Sequence, residues 1–181
     1  MTCIVGIEHK GKVYIAGDSA GVSGYSISVR DDRKVHVIDD FAFGFTSSFR
    51  MGQLLAYDFT PPKHPKKKSD MHYLVSDFVK ALRVLYKKGG FLSKEHEQET
   101  GGTFLLGYHG KLYTVDSDFQ VARTVDGYDA CGCGCDLALG ALYTLTRQLP
   151  TLKPEGVLKS ALEASAYHSA GVVAPFHIVS V

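Results

Sequence analysis

Net charge is almost missing from this sequence: 20 Lys and Arg stand against 19 Asp and Glu, a formal +1. That balance gives no electrostatic reason to expect DNA, RNA or an anionic membrane as a partner. Long apolar runs are missing too, and none approaches the roughly 18 residues of a membrane span. The first apolar stretch, Ile4 to Ile7, ends at Glu8 and is too short for a signal peptide, so a cytoplasmic location is expected. Cysteine is scarce. Of four, Cys131, Cys133 and Cys135 crowd together and Cys3 stands alone. That spacing cannot make a disulfide framework for a domain this size, and free thiols in a reducing compartment are expected. No second cysteine pair completes a zinc site, and none of the eight histidines pairs convincingly with another.

What is present suits one globular domain spanning residues 1–181, with 45% apolar and 22% charged residues. Thr2–Glu8 and Lys12–Gly17 read as strands around a Lys10-Gly11 hairpin turn. Asp18–Tyr25, a mixture of Ser, Gly and Ala, reads as a loop. Strand-like runs follow at Ser26–Val29, Lys34–Ile38 and Phe41–Thr46. Ser47 or Ser48 is placed to cap a helix carrying Met51, Leu54 and Leu55 inward. Thr60–Lys68, "TPPKHPKKK", reads as a solvated loop. A long helix from Ser69 or Asp70 to Lys88 stops at Gly89-Gly90. Leu92–Glu99 is polar surface, and His96 with Glu97 and Glu99 lacks the partners of a metal site. Strands are expected at Thr103–Tyr108, Lys111–Val115 and Gln120–Thr124, then helices at Cys135–Gln148 and Pro154–His168, and a last strand at Gly171–Val181. This order implies an α+β fold: a four-layer αββα sandwich of two antiparallel sheets between helical layers.

The chemistry concentrates at the front. Thr2 follows an initiator methionine that is expected to be removed before so small a residue. Removal leaves Thr2 with both a hydroxyl and a free α-amine, whose unperturbed pKa of about 7.7–8 lets it accept the hydroxyl proton near neutrality. This is the threonine–amine version of a nucleophile–base pair. Such a pair needs a nearby cation and a carboxylate to hold it, and Lys34 and Asp18 are the right types.

The stretch "TCIVGIEHKGKVYIAGDSAGVSGYSISVRDDRKVHVI" resembles, without a gap, the N-terminal part of proteasome β-type subunits and of the HslV peptidase. The resemblance implies an N-terminal nucleophile hydrolase fold, Thr2 as nucleophile, Asp18 in "AGD", and Lys34 in "RKV" beside Thr2. "GFTSSFRMGQLL" (Gly44–Leu55) is similar to the family's strand-turn-helix that supplies an oxyanion-hole N–H, which falls to Ser47 here. Thr46-Ser47-Ser48 replaces the usual glycine- or alanine-rich turn. "GCGCDLALGALY" (Gly132–Tyr143) resembles the Gly-Ser-Gly helix start, with Cys133 in place of a serine. A thiol is a weaker donor and acceptor. Ser169 matches a serine kept near the nucleophile, and Ala166 stands where many members have Asp. Asp32, His36 and Arg50 fall at positions that implicate them in substrate binding.

The chain therefore reads as a threonine-type peptidase working without metal or organic cofactor on peptides or unfolded protein. The resemblance further implies a homo-oligomeric ring of β-type or HslV-type subunits, with an ATP-dependent unfoldase as partner. A catalytically silent ring-forming scaffold and a small-amide hydrolase of the same fold are the alternatives. For "CGCGC", strand alternation would put the thiols on one side and the glycines on the other, close to the site. Redox sensitivity and metal binding are the competing readings of that run.

Overall fold

The computed structural model describes residues Met1–Val181. Strand β1 (Cys3–His9) shows why the chain builds layers: its apolar side chains alternate between two different cores. Cys3, Val5 and Ile7 point to one side and pack with residues of two helices, α4 (Cys135–Gln148) and α5 (Pro154–His168). Ile4 points the other way, into a core shared with the opposite sheet. Strand β2 (Lys12–Gly17) divides in the same manner, with Val13 and Ile15 between the sheets and Ala16 toward the helices. β1 and β2 are the inner strands of a four-stranded antiparallel sheet, flanked by β12 (Tyr128–Gly132) and β13 (His177–Ser180).

The facing sheet is also antiparallel. It contains β5 (Val35–Ile38), β6 (Phe41–Phe45), β9 (Phe104–Tyr108), β10 (Lys111–Val115) and β11 (Val121–Ala122), in the order β11-β10-β9-β6-β5. Its outer face is aromatic: Phe41, Phe43, Phe45, Phe104 and Tyr108 meet Met51, Leu74, Phe78 and Leu82 from the helical layer. Its inner face mixes Val35, Leu105 and Leu112 with the small residues Ala42, Gly44 and Gly107, and the small ones let the sheets approach. A Cβ on Gly44 would lie 2.6 Å from Ile4 and 2.7 Å from Ile15. The expected αββα sandwich is thus observed, and no helix is long and apolar enough to cross a membrane.

The helices start and stop as their sequences direct. Ser48 caps α1 (Phe49–Gln53) by accepting from the Arg50 N–H, and Ser69 caps α2 (Asp70–Tyr73) by accepting from His72. Pro154 occupies the first turn of α5. Two π-helical turns, Leu54–Asp58 after α1 and Leu74–Phe78 between α2 and α3 (Val79–Lys88), were not signalled by the apolar period.

Several expectations need correction. Asp18–Tyr25 is not all loop: β3 (Ala20–Ser23) pairs with β4 (Ser26–Val29) through a turn at Gly24, where φ is +58°. This outlying ribbon has little apolar alternation to betray it. Leu92–Glu99 contains a small exposed hairpin, β7 (Ser93–Glu95) with β8 (Gln98–Thr100). The final strand is shorter than expected, since pairing along β2 begins only at His177. The expected loop Thr60–Lys68 is observed, and His64 anchors it by stacking on Tyr73 at 4.4 Å and bonding the Tyr108 hydroxyl at 2.8 Å.

Because Gly44 sits where the sheets touch, Gly44→Ala should cost about 1–3 kcal/mol through overpacking. Urea unfolding checks this, and an unchanged midpoint would show that the inter-sheet layer has slack.

Candidate active site

Three chain segments meet at one end of the sandwich. Thr2 precedes β1, Asp18 follows β2, and Lys34 precedes β5, so antiparallel pairing brings two of them together and sheet packing delivers the third. All three are almost fully enclosed, at 5%, 1% and 1% exposure. The Lys34 Nζ lies 2.9 Å from the Thr2 Oγ1 and 2.8 Å from the Asp18 Oδ1. Asp18 is itself held. Its Oδ1 accepts from the Cys3 N–H at 3.0 Å, and its Oδ2 from Ala20 at 2.8 Å and Val173 at 3.4 Å. Burial holds the Lys34 ammonium below its usual pKa, opposed by the Asp18 charge and hydrogen bond.

Around the Thr2 nitrogen the chain is equally specific. With Met1 attached, that nitrogen is an amide, and it donates to the Cys133 Sγ at 3.3 Å. The Thr2 hydroxyl donates to the Met1 carbonyl. The Cys133 Sγ lies 3.5 Å from the Thr2 carbonyl oxygen and 3.9 Å from the Ser169 Oγ at the end of α5. Gly132, at φ +100°, is required: a Cβ there would come within 2.2 Å of the Thr2 oxygen. The same residue breaks the expected alternation of thiols. Cys131 follows the regular alternation of β12 into the core between the sheets, opposite Ile4; beyond Gly132 the strand ends, Cys133 faces Thr2, and Cys135 opens α4.

Ser47 adopts φ +69°, the left-handed conformation that glycine tolerates best and that costs a serine about 1–2 kcal/mol. Its side chain accepts from the Thr103 N–H at 3.2 Å, while its own backbone N–H has no partner in the chain. Ser47 and Thr2 both line a cleft of about 290 Å³, walled by the β3–β4 ribbon on one side and by Thr46–Phe49 on the other.

The other sequence candidates lie elsewhere. His36 packs against Phe43, with ring centroids 5.6 Å apart, and bonds the Arg33 carbonyl at 2.8 Å. Its position opposite Phe43 in the β5–β6 register directs it to the aromatic layer, away from the cleft. Arg50, exposed in the first turn of α1, donates to the Gly89 carbonyl at 3.3 Å. Asp32 does not line the cleft but grips Arg30, which does, through two 2.6 Å contacts. Sequence reasoning passed over Arg30 and Phe49, since neither belongs to a motif. It also passed over Ser165, a fully buried hydroxyl that ties α5 to the Gly134 carbonyl at 3.0 Å.

The grouping of side chains best suited to a metal, His64 with Asp70 and His109, lies at the opposite end of the five-stranded sheet. There His109 bonds Asp70 at 2.9 Å, Lys111 bonds it at 3.0 Å, and both His64 nitrogens are already engaged. Nothing in the site around Thr2 assembles a metal-ligand set.

No protein-family model matches this sequence, and no curated protein matches it. Solved structures do. Thiobacillus denitrificans BPH in complex with epoxomicin matches with a TM-score of 0.81 at 20% identity, over 99% of this chain and 98% of that one. BPH alone gives 0.80 at 20%, over 99% and 97%. Eukaryotic HslV from Trypanosoma brucei gives 0.69 at 15%, over 99% and 98%. The chain therefore has the fold of these proteins along its whole length.

Two outcomes test this geometry. Asp18→Ala leaves Lys34 buried without its counter-charge and should destabilise the fold by roughly 3–5 kcal/mol, read from denaturant melts. A loss under 1 kcal/mol would mean that water replaces the carboxylate. In native protein at pH 8, a maleimide should label the exposed Cys133 and spare Cys3 and Cys131. Burial pushes Cys3 up to about 12 and Cys131 well above its ordinary value. Peptide mapping by mass spectrometry reads the pattern, and native labelling of Cys3 would contradict it.

Proposed function

We propose that the chain is a threonine-type N-terminal nucleophile peptidase that becomes active once Met1 is removed. The observation that carries this reading is the buried contact of Lys34 with both Thr2 and Asp18, at 2.9 and 2.8 Å. Removal of Met1 turns the Thr2 nitrogen from an amide into an amine able to take a proton. The Thr2 Oγ1 then attacks a peptide carbonyl while its proton passes to that amine. The Lys34 cation beside Oγ1 favours the developing negative oxygen, and Asp18 fixes Lys34 in place. The unpartnered Ser47 N–H, on the same cleft, receives the oxyanion of the tetrahedral intermediate. Collapse returns the proton to the leaving amine and leaves an ester on Thr2. Water then attacks the ester by the same proton route. Cys133 accepts a hydrogen bond from the Thr2 nitrogen, with Ser169 behind it, and keeps that nitrogen oriented.

The likeness to HslV supports a ring of identical subunits served by an ATP-driven unfoldase, with unfolded protein as the substrate. A silent scaffold is the competing reading: if Met1 stays attached, the Thr2 nitrogen remains an amide donor and has no lone pair to act as base.

Intact-mass measurement of the purified protein should show Met1 absent. Hydrolysis of fluorogenic peptides should fall by about 10³-fold or more in Thr2→Ala, with particle size unchanged by light scattering. Retained Met1 together with equal rates in wild type and Thr2→Ala would establish the scaffold.

A further inference from the structure

Among the side chains that line the cleft beside Thr2, one carries a charge, Arg30. The rest are hydroxyl-bearing, apolar or glycine, and Ser23, Ser26 and Ser28 bring hydroxyls along the same ribbon wall. Arg30 is fixed from several directions. Its backbone N–H donates to the Ser19 carbonyl at 2.8 Å. Its Nε and Nη2 each donate to Asp32 at 2.6 Å, and its guanidinium carbon sits 3.8 Å from the centre of the Phe49 ring. Gly21 makes the room: a Cβ there would come within 2.6 Å of the Arg30 Cδ. The Nη1 has no partner in the chain. Asp32 compensates the charge from outside the cleft and leaves the Nη1 unengaged.

We infer that Arg30 is the specificity-determining residue of this cleft and selects peptides with an acidic side chain next to the scissile amide. A planar, immobilised guanidinium loses little freedom on binding a carboxylate, and the serine hydroxyls complete the acceptor's shell. A lysine at the same substrate position meets a fixed cation. A leucine leaves the hydroxyls and the Arg30 Nη1 without an acceptor. Half-exposure of the Arg30–Asp32 pair keeps its desolvation on binding small. This inference rests on the peptidase reading for its chemistry, but substrate recognition can be measured without turnover.

The test uses acetylated tripeptide coumarin amides that differ only in the residue before the coumarin: Glu, Gln, Leu or Lys. In wild type, kcat/KM should favour Glu over Leu by about tenfold or more, with Lys the poorest. Arg30→Leu should abolish the Glu-over-Leu ratio, which is measured within one sample and so does not depend on how much protein is folded. In parallel, the same peptides are titrated against Thr2→Ala by fluorescence anisotropy. Tighter binding of the Glu peptide, lost in Thr2→Ala/Arg30→Leu, sustains the inference even if wild type hydrolyses nothing, and then only the peptidase reading fails. Equal binding of Glu and Leu peptides, no binding of either, or a Glu preference that survives Arg30→Leu overturns it.

Discussion

One buried ion pair, Lys34 with Asp18, sets the terms for everything around it. An ammonium and a carboxylate removed from water are costly, and their attraction offsets that cost only when the remaining donors and acceptors are also satisfied. The Asp18 carboxylate accordingly accepts from Lys34, Cys3, Ala20 and Val173. Those donors belong to both sheets, to the outlying ribbon and to the segment before the last strand. The pair therefore adds little to net stability and much to uniqueness: a shift of either sheet would leave a charge unpaired. The Thr2 hydroxyl shares the same ammonium, so the positioning of the candidate site and the register of the fold are one constraint.

What could be read in the sequence, and what could not, follows the range of the forces involved. β1, β2, β4 and the helices α4 and α5 announce themselves through alternation, turns and caps, which are local. Thr2, Asp18 and Lys34 were legible as types and spacings, and the meeting of two sheets explains their contact. The π-helical turns escaped because a single widened turn barely changes which residues face inward. The left-handed backbone of Ser47 escaped for another reason. Its conformation is imposed by Thr103 and the neighbouring turn, against the residue's own preference. His36 and Arg50 were placed by analogy of position, but aromatic packing drew His36 outward and the end of α3 engaged Arg50. Arg30 had no motif to announce it, and only the cleft makes it visible.

The cysteine run shows how one dihedral angle can separate chemically identical neighbours. Gly132 at φ +100° ends the pleat, and the three thiols then enter three environments. Cys131 is sealed between the sheets, where its ionisation is suppressed. Cys135 begins a helix. Cys133 alone reaches the Thr2 nitrogen, where its thiol makes a weaker hydrogen bond than a hydroxyl would. The thiols cannot act together as a chelate, because they no longer share a side.

β1 and β13 both run antiparallel to β2, one on each side, and are therefore parallel to each other. Thr2 lies at the Gly17 end of that trio, while Val181 exchanges backbone bonds with Val13 near the other end. The sandwich thus has two unlike poles. Chain preceding Thr2 emerges at the cleft, which Met1 lines, whereas chain added beyond Val181 departs from the opposite end. Cargo, labels or surface tethers joined at that second end would stay clear of the cleft, which gives the molecule a built-in orientation for attachment.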